Sequence, residues 1–229
     1  MSLNWLSRTE AILGLNSVEK LKKASVLIAG LGGVGGYAME GLARCGINTF
    51  ILIDSDKFEE TNLNRQLLCL KSDIGKNKVD IAKERILAIN PDATVLTYNE
   101  FIDSSNIDRF LNMKPTVVVD AIDSIESKYF LLKRCVERNI PVVSSMGAAL
   151  RKDPTAIRIA DISKTSGDPL AKQVRTKLRQ NGITGGIACV YSTEIPVKTS
   201  DGTLGSLATV TGTFGLALAQ LAVDTIINL

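Results

Sequence analysis

There is no histidine among the 229 residues. That absence removes Ser-His-Asp and Cys-His catalysis, and imidazole ligation of a metal, in one step. Chemistry must then fall to carboxylates, lysine, arginine, a thiol, or a group that the substrate brings. Cysteine is scarce: Cys45, Cys69, Cys135 and Cys189 are widely spaced and form no CxxC pair, so no structural zinc site is expected. Each reads as a buried free thiol. Aromatic residues are 5% of the chain, and no basic motif interleaves them for base stacking. No apolar run reaches the roughly 20 residues that span a bilayer. The first residues, MSLNWLSRTEAILG, lack the basic start and apolar segment of a signal peptide, so a cytoplasmic protein with no membrane partner is expected. The net charge of +3 permits a polyanionic partner without demanding one.

The composition is that of an ordinary globular chain, 45% hydrophobic and 22% charged. Its length allows one large core or two small ones, and no linker, repeat or low-complexity stretch divides it. One domain over residues 1–229 is expected. Apolar periodicity predicts helix over 3–24 with a break at Asn16-Ser17, then strand 25–29, helix 34–45 and strand 49–54. An irregular polar segment, 55–73, precedes helix 77–90 and strand 94–98. A short helix at 103–113, strand 115–120, helix 127–138 and strand 141–145 complete the alternation. This β-α order argues for a Rossmann-like α/β fold: a mostly parallel sheet with helices on both faces. Beyond Gly147 the pattern changes. Strands are expected at 156–161 and 187–193, helices at 168–180 and 213–228, and a turn or loop at 199–205, giving a modified C-terminal third.

The densest information lies between Ser25 and Lys78. An apolar run enters Gly30, Gly32, Gly33 and Gly35, and the next apolar run ends in Asp54. Residues without side chains let backbone amides approach a phosphate, and the following helix N-terminus favours the anion. Asp54 lies where a carboxylate can accept hydrogen bonds from ribose hydroxyls. On this pattern alone an NAD enzyme and a purely structural tight turn both stand.

Asn64 and Arg65 follow in NLNRQ, and Lys78 follows GKN. A dinucleotide site does not require them; a triphosphate does, because phosphoryl and nucleotidyl transfer depend on positioning and charge neutralisation. Arginine grips phosphate bidentately and lysine supplies a point charge. Taken singly, each also reads as a solvated surface residue. Strand 115–120 runs into VVVDAIDS, and the carboxyl ends of such strands are where open α/β sheets bind ligands. Asp120 or Asp123 could hold Mg²⁺ there through a carboxylate. Helix capping by Asp123 or Ser124 is the alternative. Lys172, Arg175 and Arg179 share a helical face that suits RNA phosphates or simply solvent.

GLGGVG, LIDSD, TNLNRQ, GKNKVDIAKERILAINP and VVDAIDS together resemble the HesA/MoeB/ThiF superfamily of adenylating proteins, similar to the ubiquitin-activating enzymes. The resemblance implies a ligase-type, ATP-dependent activation of a carboxylate. It implies that Gly30, Gly32, Gly33 and Gly35 line ATP, that Asp54 holds its ribose, and that Asn64, Arg65 and Lys78 contact phosphates. Asp123 would bind Mg²⁺, and Arg65, Lys78 and Asp123 would be the catalytic set. Arg8 looks like an arginine that dimers of the family donate to a neighbour's ATP.

LSRTEAILG, SSMGAALRKDPTAIRIADISKTSGDPLAKQVRTKLR and CVYSTEIP are similar to the branch of tRNA threonylcarbamoyladenosine dehydratases. That branch implies a tRNA partner carrying threonylcarbamoyladenosine, a homodimer, and sulfur-transfer proteins as accessory partners. ATP would activate the threonyl carboxylate, and the ureido group would close on it with loss of water. Adenylation of the C-terminus of a ubiquitin-like sulfur carrier is the alternative, although relatives of that kind often carry two CxxC pairs. A non-catalytic scaffold also remains open. The segment after CVYSTEIPVKTSDGT is shorter than in many relatives, and no cysteine follows Cys189, so a thioester route through it has no nucleophile. An enzyme whose substrate supplies the attacking group needs none, since a held group has a large effective molarity.

Overall fold

Short β-rich segments alternate with amphipathic ones, and the computed structural model, which describes residues 4–229, resolves them into a seven-stranded sheet of order β3-β2-β1-β4-β5-β7-β6. The strands are β1 (Ser25–Ala29), β2 (Thr49–Ile53), β3 (Thr94–Tyr98), β4 (Val117–Asp120), β5 (Val142–Ser145), β6 (Ile157–Asp161) and β7 (Ala188–Ser192). All pair in parallel except edge strand β6, which runs antiparallel to β7. The chain winds outward through β2 and β3, then returns to lay β4 on the other side of β1. The carboxyl ends of β1 and β4 therefore flank the switch point where open sheets bind ligands.

Both faces of the central strands are apolar, and the period of two divides them between two cores. Val26, Ile28, Phe50, Leu52, Val117 and Val119 face one core; Leu27, Ala29, Ile51, Ile53 and Val118 face the other. Helices α2 (Leu15–Lys23), α3 (Gly35–Arg44), α4 (Lys78–Ile89) and α8 (Ala208–Ile227) cover the first face, while α5 (Ile107–Leu111), α6 (Ile125–Glu137) and α7 (Pro169–Gln180) cover the second. Buried Glu40 on α3 accepts a bidentate pair from Arg85 on α4, at 2.8 and 2.9 Å, and a third bond from Arg44 at 2.7 Å. Burial alone would raise its carboxyl pKa; the bonds from Arg85 and Arg44 hold it below the usual value.

Four expectations need correcting. The N-terminal helix breaks at Gly14, not at Asn16-Ser17, giving α1 (Ser7–Leu13) and α2; Gly14 has φ +80°, which only glycine adopts freely. The helix expected at 103–113 shrinks to the five residues of α5. The closing helix begins at Ala208, five residues early, because Thr209 and Gly212 continue the turn despite weak propensity. This last point also overturns the absence of a bilayer-length segment, since α8 has 20 residues and enough apolar character to cross a membrane. Ten of its residues are buried in the fold, so its apolarity is that of a core helix.

Helix α8 reaches its core position through small residues against α3. A Cβ at Gly215 would sit 2.4 Å from the Val34 carbonyl oxygen and 2.6 Å from Tyr37 Cβ, and one at Gly41 would sit 2.9 Å from Ala219 Cβ. The backbones leave no room for adjustment. Gly215→Val is expected to destabilise the chain by about 1–3 kcal/mol, the usual cost of overpacking. Thermal unfolding checks it, and an unchanged midpoint would show that the helices separate freely.

Candidate active site

Strand β1 delivers the chain into a turn that side chains would fill. Gly30 has φ +88°, and a Cβ there would lie 2.7 Å from the Ala121 carbonyl oxygen; one at Gly35 would lie 1.8 Å from the Gly30 carbonyl oxygen. These two glycines are demanded by the packing of the turn on itself and on the end of β4. Gly32 and Gly33 face elsewhere: Gly32 towards the Gln66 side chain, Gly33 towards Arg65 and Thr211 at 3.3 Å. No side chain caps α3; the Gly36 N–H donates to the Gly32 carbonyl at 3.0 Å, and the positive end of the helix dipole still faces outward for an anion.

Asp54, one residue past β2, braces this turn. Its Oδ2 accepts the Leu31 N–H at 2.6 Å, and its Oδ1 accepts the Asp56 N–H at 2.8 Å. Burial pushes the carboxyl pKa up, against the pull of nearby Lys78 and of the two amides. Each oxygen keeps a lone pair, so a ribose hydroxyl could still donate to it.

Residues 55–77 loop out and come back. Phe58 N–H donates to the Lys76 carbonyl at 2.9 Å, and Lys78 N–H to the Asp56 carbonyl at 3.0 Å, closing the excursion beside Asp54. Lys78, first residue of α4, is thereby 5% exposed, with Nζ 2.8 Å from Asp56 Oδ2. Arg65 Nη1 donates to the Thr61 carbonyl at 2.9 Å and to Asn64 Oδ1 at 3.0 Å; Asn64 Nδ2 donates to the Ser206 carbonyl at 3.0 Å. Asn64 thus ties this loop to the segment entering α8.

Strand β4 ends in two unlike acids. Asp120 is fully buried and paired with Lys128 Nζ at 2.6 Å, which leaves it no free face for a metal. Asp123 is exposed on the next turn, and no side chain caps α6, so neither Asp123 nor Ser124 acts as the expected cap. The turn carrying Asp123 abuts the glycine turn through Ala121.

Gly30, Gly32, Gly33, Gly35, Asp54, Asn64, Arg65 and Lys78 therefore gather along the carboxyl-end edge of the central strands, with Asp123 beside them. Arg8 does not join them. It is exposed on α1, whose start packs at the other end of α3: Leu6 lies against Gly46, and Trp5 shares a concavity with Arg44 and Arg85. Arg175, expected on a basic outer stripe, turns inward to the Ile162 and Thr165 carbonyls at 3.3 and 3.0 Å; Lys172 and Arg179 stay exposed.

Sequence reasoning missed four neighbours of this edge. Asp56 neutralises Lys78, a role hinted at by the acid pair in DSD. Gln66 is buried with Oε1 unpartnered, beside Gly32. Thr211 meets Gly33 because α8 starts early, and Lys128 is hidden in an amphipathic pattern. The edge combines uncapped amides, one buried cation and one half-buried guanidinium. It can neutralise and orient a polyanion, and the one thiol of the 55–77 loop, Cys69, is buried with its pKa raised. Among the described residues no three Asp, Glu or Cys side chains gather to hold a metal, so a cation there would need ligands from a phosphate.

Cys135 and Cys189 lie in the second core, away from this loop. Burial pushes the Cys135 thiol up to about 12, and raises that of fully buried Cys189 as well. Neither can supply thiolate near neutrality. Alkylation at pH 8 should leave Cys135 and Cys189 unmodified until denaturant is added, as peptide mass spectrometry would report. Rapid labelling of Cys189 in the folded chain would reopen a thioester route.

Comparison with known proteins gives the family and the fold. The model of the ThiF family matches residues 6–229. The tRNA threonylcarbamoyladenosine dehydratase of Bacillus subtilis (strain 168) is 45% identical over 195 residues, 85% of this chain and 77% of its own length. The Escherichia coli (strain K12) protein of the same name is 37% identical over 204 residues, 86% of this chain and 76% of its own. A crystal structure of the E. coli enzyme in complex with ATP superposes with a TM-score of 0.92 at 34% identity, covering 97% of this chain and 93% of that one. The Rossmann-like sheet expected from the sequence is the one observed, and the chain belongs to the ThiF family.

Proposed function

We propose that the chain is an ATP-dependent enzyme that activates the carboxylate of threonylcarbamoyladenosine in tRNA and lets it cyclise with loss of water. The observation that carries this reading is its 45% identity to a dehydratase of that substrate across 85% of the chain. The site is consistent with it. A glycine turn that a Cβ would fill, the uncapped α3 and the cations Arg65 and Lys78 suit a triphosphate. Gly30, Gly32, Gly33 and Gly35 would line ATP, Asp54 would take the ribose, and Asn64, Arg65 and Lys78 would take the phosphates.

In this reading the substrate carboxylate attacks the α-phosphorus and pyrophosphate leaves. The ureido group then closes on the activated carbonyl carbon and AMP departs. Lys78 and Arg65 stabilise charge on the phosphates, and the chain need only hold the reacting groups together. Exposed Asp123 is the carboxylate best placed to share Mg²⁺ with the phosphates. When bound, Mg²⁺ would neutralise phosphate charge. Residues 1–229 would act as one adenylating domain in the cytoplasm. A homodimer would let Arg8 serve a second copy's site, which the distance of α1 from its own glycine turn favours. Sulfur-transfer proteins would be accessory partners. A ubiquitin-like carrier is a poorer substrate for a chain without CxxC pairs.

Incubation with ATP, Mg²⁺ and threonylcarbamoyladenosine-modified tRNA should remove one water from the nucleoside, seen by mass spectrometry. Lys78→Ala and Arg65→Ala should each lower kcat by about 10²–10³, the range for one transition-state donor, with the folded circular dichroism retained. Full activity in both would remove the phosphate clamp. AMP formation only with a small protein ending in Gly-Gly would instead favour the carrier reading.

A further inference from the structure

A buried and fully partnered polar cluster lies behind the site, and the reaction above does not use it. Lys128 and Asp120 are both fully buried. Lys128 Nζ lies 2.6 Å from Asp120 Oδ2, 2.9 Å from the Ser145 carbonyl oxygen and 3.4 Å from Ser144 Oγ. The Ser144 hydroxyl donates to Asp120 Oδ2 at 2.5 Å, and Asp120 Oδ1 accepts the Ile122 N–H at 3.1 Å. Every ammonium hydrogen and both carboxylate oxygens have partners, and the pair is neutral. Asp120 and Ser144 are register partners on β4 and β5.

The placement of this cluster gives it a consequence at the surface. Asp120 ends β4, and Lys128 lies in the first turn of α6, where its N–H donates to the Ser124 carbonyl at 2.9 Å. The pair thus clamps both ends of the turn 121–124. Within that turn Ala121 N–H donates to the Ala29 carbonyl at 2.9 Å, and the Ala121 carbonyl oxygen lies 2.7 Å from where a Cβ on Gly30 would be. Asp123 sits in the same turn, exposed, and among the described residues its carboxylate has no hydrogen-bond partner. Nothing but the backbone sets where that carboxylate stands relative to the glycine turn.

We propose that Lys128 is a positioning residue. Through Asp120 it holds the 121–124 turn so that the Asp123 carboxylate faces the bound phosphates and shares their divalent cation. This rests on the reading of Asp123 given above. Lys128 itself touches neither nucleotide nor metal. Its signature is a weakened response to magnesium with unchanged affinity for the metal-free nucleotide. A residue needed only for folding would lower both together.

The test uses the full chain with Lys128→Gln, Lys128→Arg and Ser144→Ala. ATP binding is measured calorimetrically with EDTA and then across a Mg²⁺ titration. In Lys128→Gln the Mg²⁺ half-saturation should rise by about tenfold or more, as when a group orienting a ligand is lost, while ATP affinity in EDTA stays within error of wild type. Lys128→Arg, which keeps the charge, should recover most of the shift. Ser144→Ala removes one donor and no charge, and should move the half-saturation the same way by a smaller factor. An unchanged half-saturation in folded Lys128→Gln overturns the proposal, as does an equal loss of ATP binding in EDTA. Should Lys128→Gln not fold, Ser144→Ala decides: a shift supports the proposal, and no shift overturns it. Failure of wild type itself to respond to Mg²⁺ would instead remove the metal role of Asp123.

Discussion

One carboxylate holds the two halves of the site together. Asp54 accepts an amide from the glycine turn with one oxygen and an amide from the start of the 55–77 excursion with the other. The glycine turn offers amides; the excursion returns Lys78 and carries Arg65. Without Asp54 these would be two loops on separate strands. The interaction is costly, because burial disfavours the charge and raises the carboxyl pKa. Lys78 offsets that cost from one side and the two amides from the other. The same residue therefore couples the geometry of the anion site to its electrostatics.

The charges at this edge are arranged to be released. Lys78 is nearly buried, yet its partner Asp56 is largely exposed, with a side-chain exposure of 64%. Arg65 bonds its own loop, at Thr61 and Asn64. Neither cation is locked into a fully buried pair, as Lys128 is. A polyanion arriving at the glycine turn competes with one exposed carboxylate and with neutral oxygens. Lys128, a cation deeply committed to a buried partner, lies behind the site.

Much of this was legible in the chain. All seven strands lie within two residues of where they were expected; for β1, β2, β4, β5 and β7 this is because buried parallel strands read as apolar runs, whereas β3 and antiparallel edge strand β6 are marked by their β-branched residues. The places of Gly30, Asp54 and Lys78 were legible because a turn without side chains, an acid at a strand end and a lysine at a helix start are local signals. What escaped is non-local. Nothing near Lys128 in sequence says that Asp120 will neutralise it, since the spacing also fits an exposed face. Arg175 looked solvent-facing until Ile162 and Thr165 supplied carbonyls from another element. The break at Gly14 was missed because Asn16-Ser17 is the stronger conventional signal, whereas a positive φ needs only one glycine.

The seam between α3 and α8 has a temporal meaning. Helix α3 begins the anion site, yet its outer flank is covered by the last helix in chain order, and Thr211 of that helix meets Gly33 of the turn. During synthesis the glycine turn emerges early and waits about 180 residues for its cover, the separation of Gly33 from Thr211. A ribosome-bound chain that has not released residues 208–227 exposes the apolar flank of α3 beside a half-built site. Vectorial synthesis thus separates making the glycine turn from completing its enclosure.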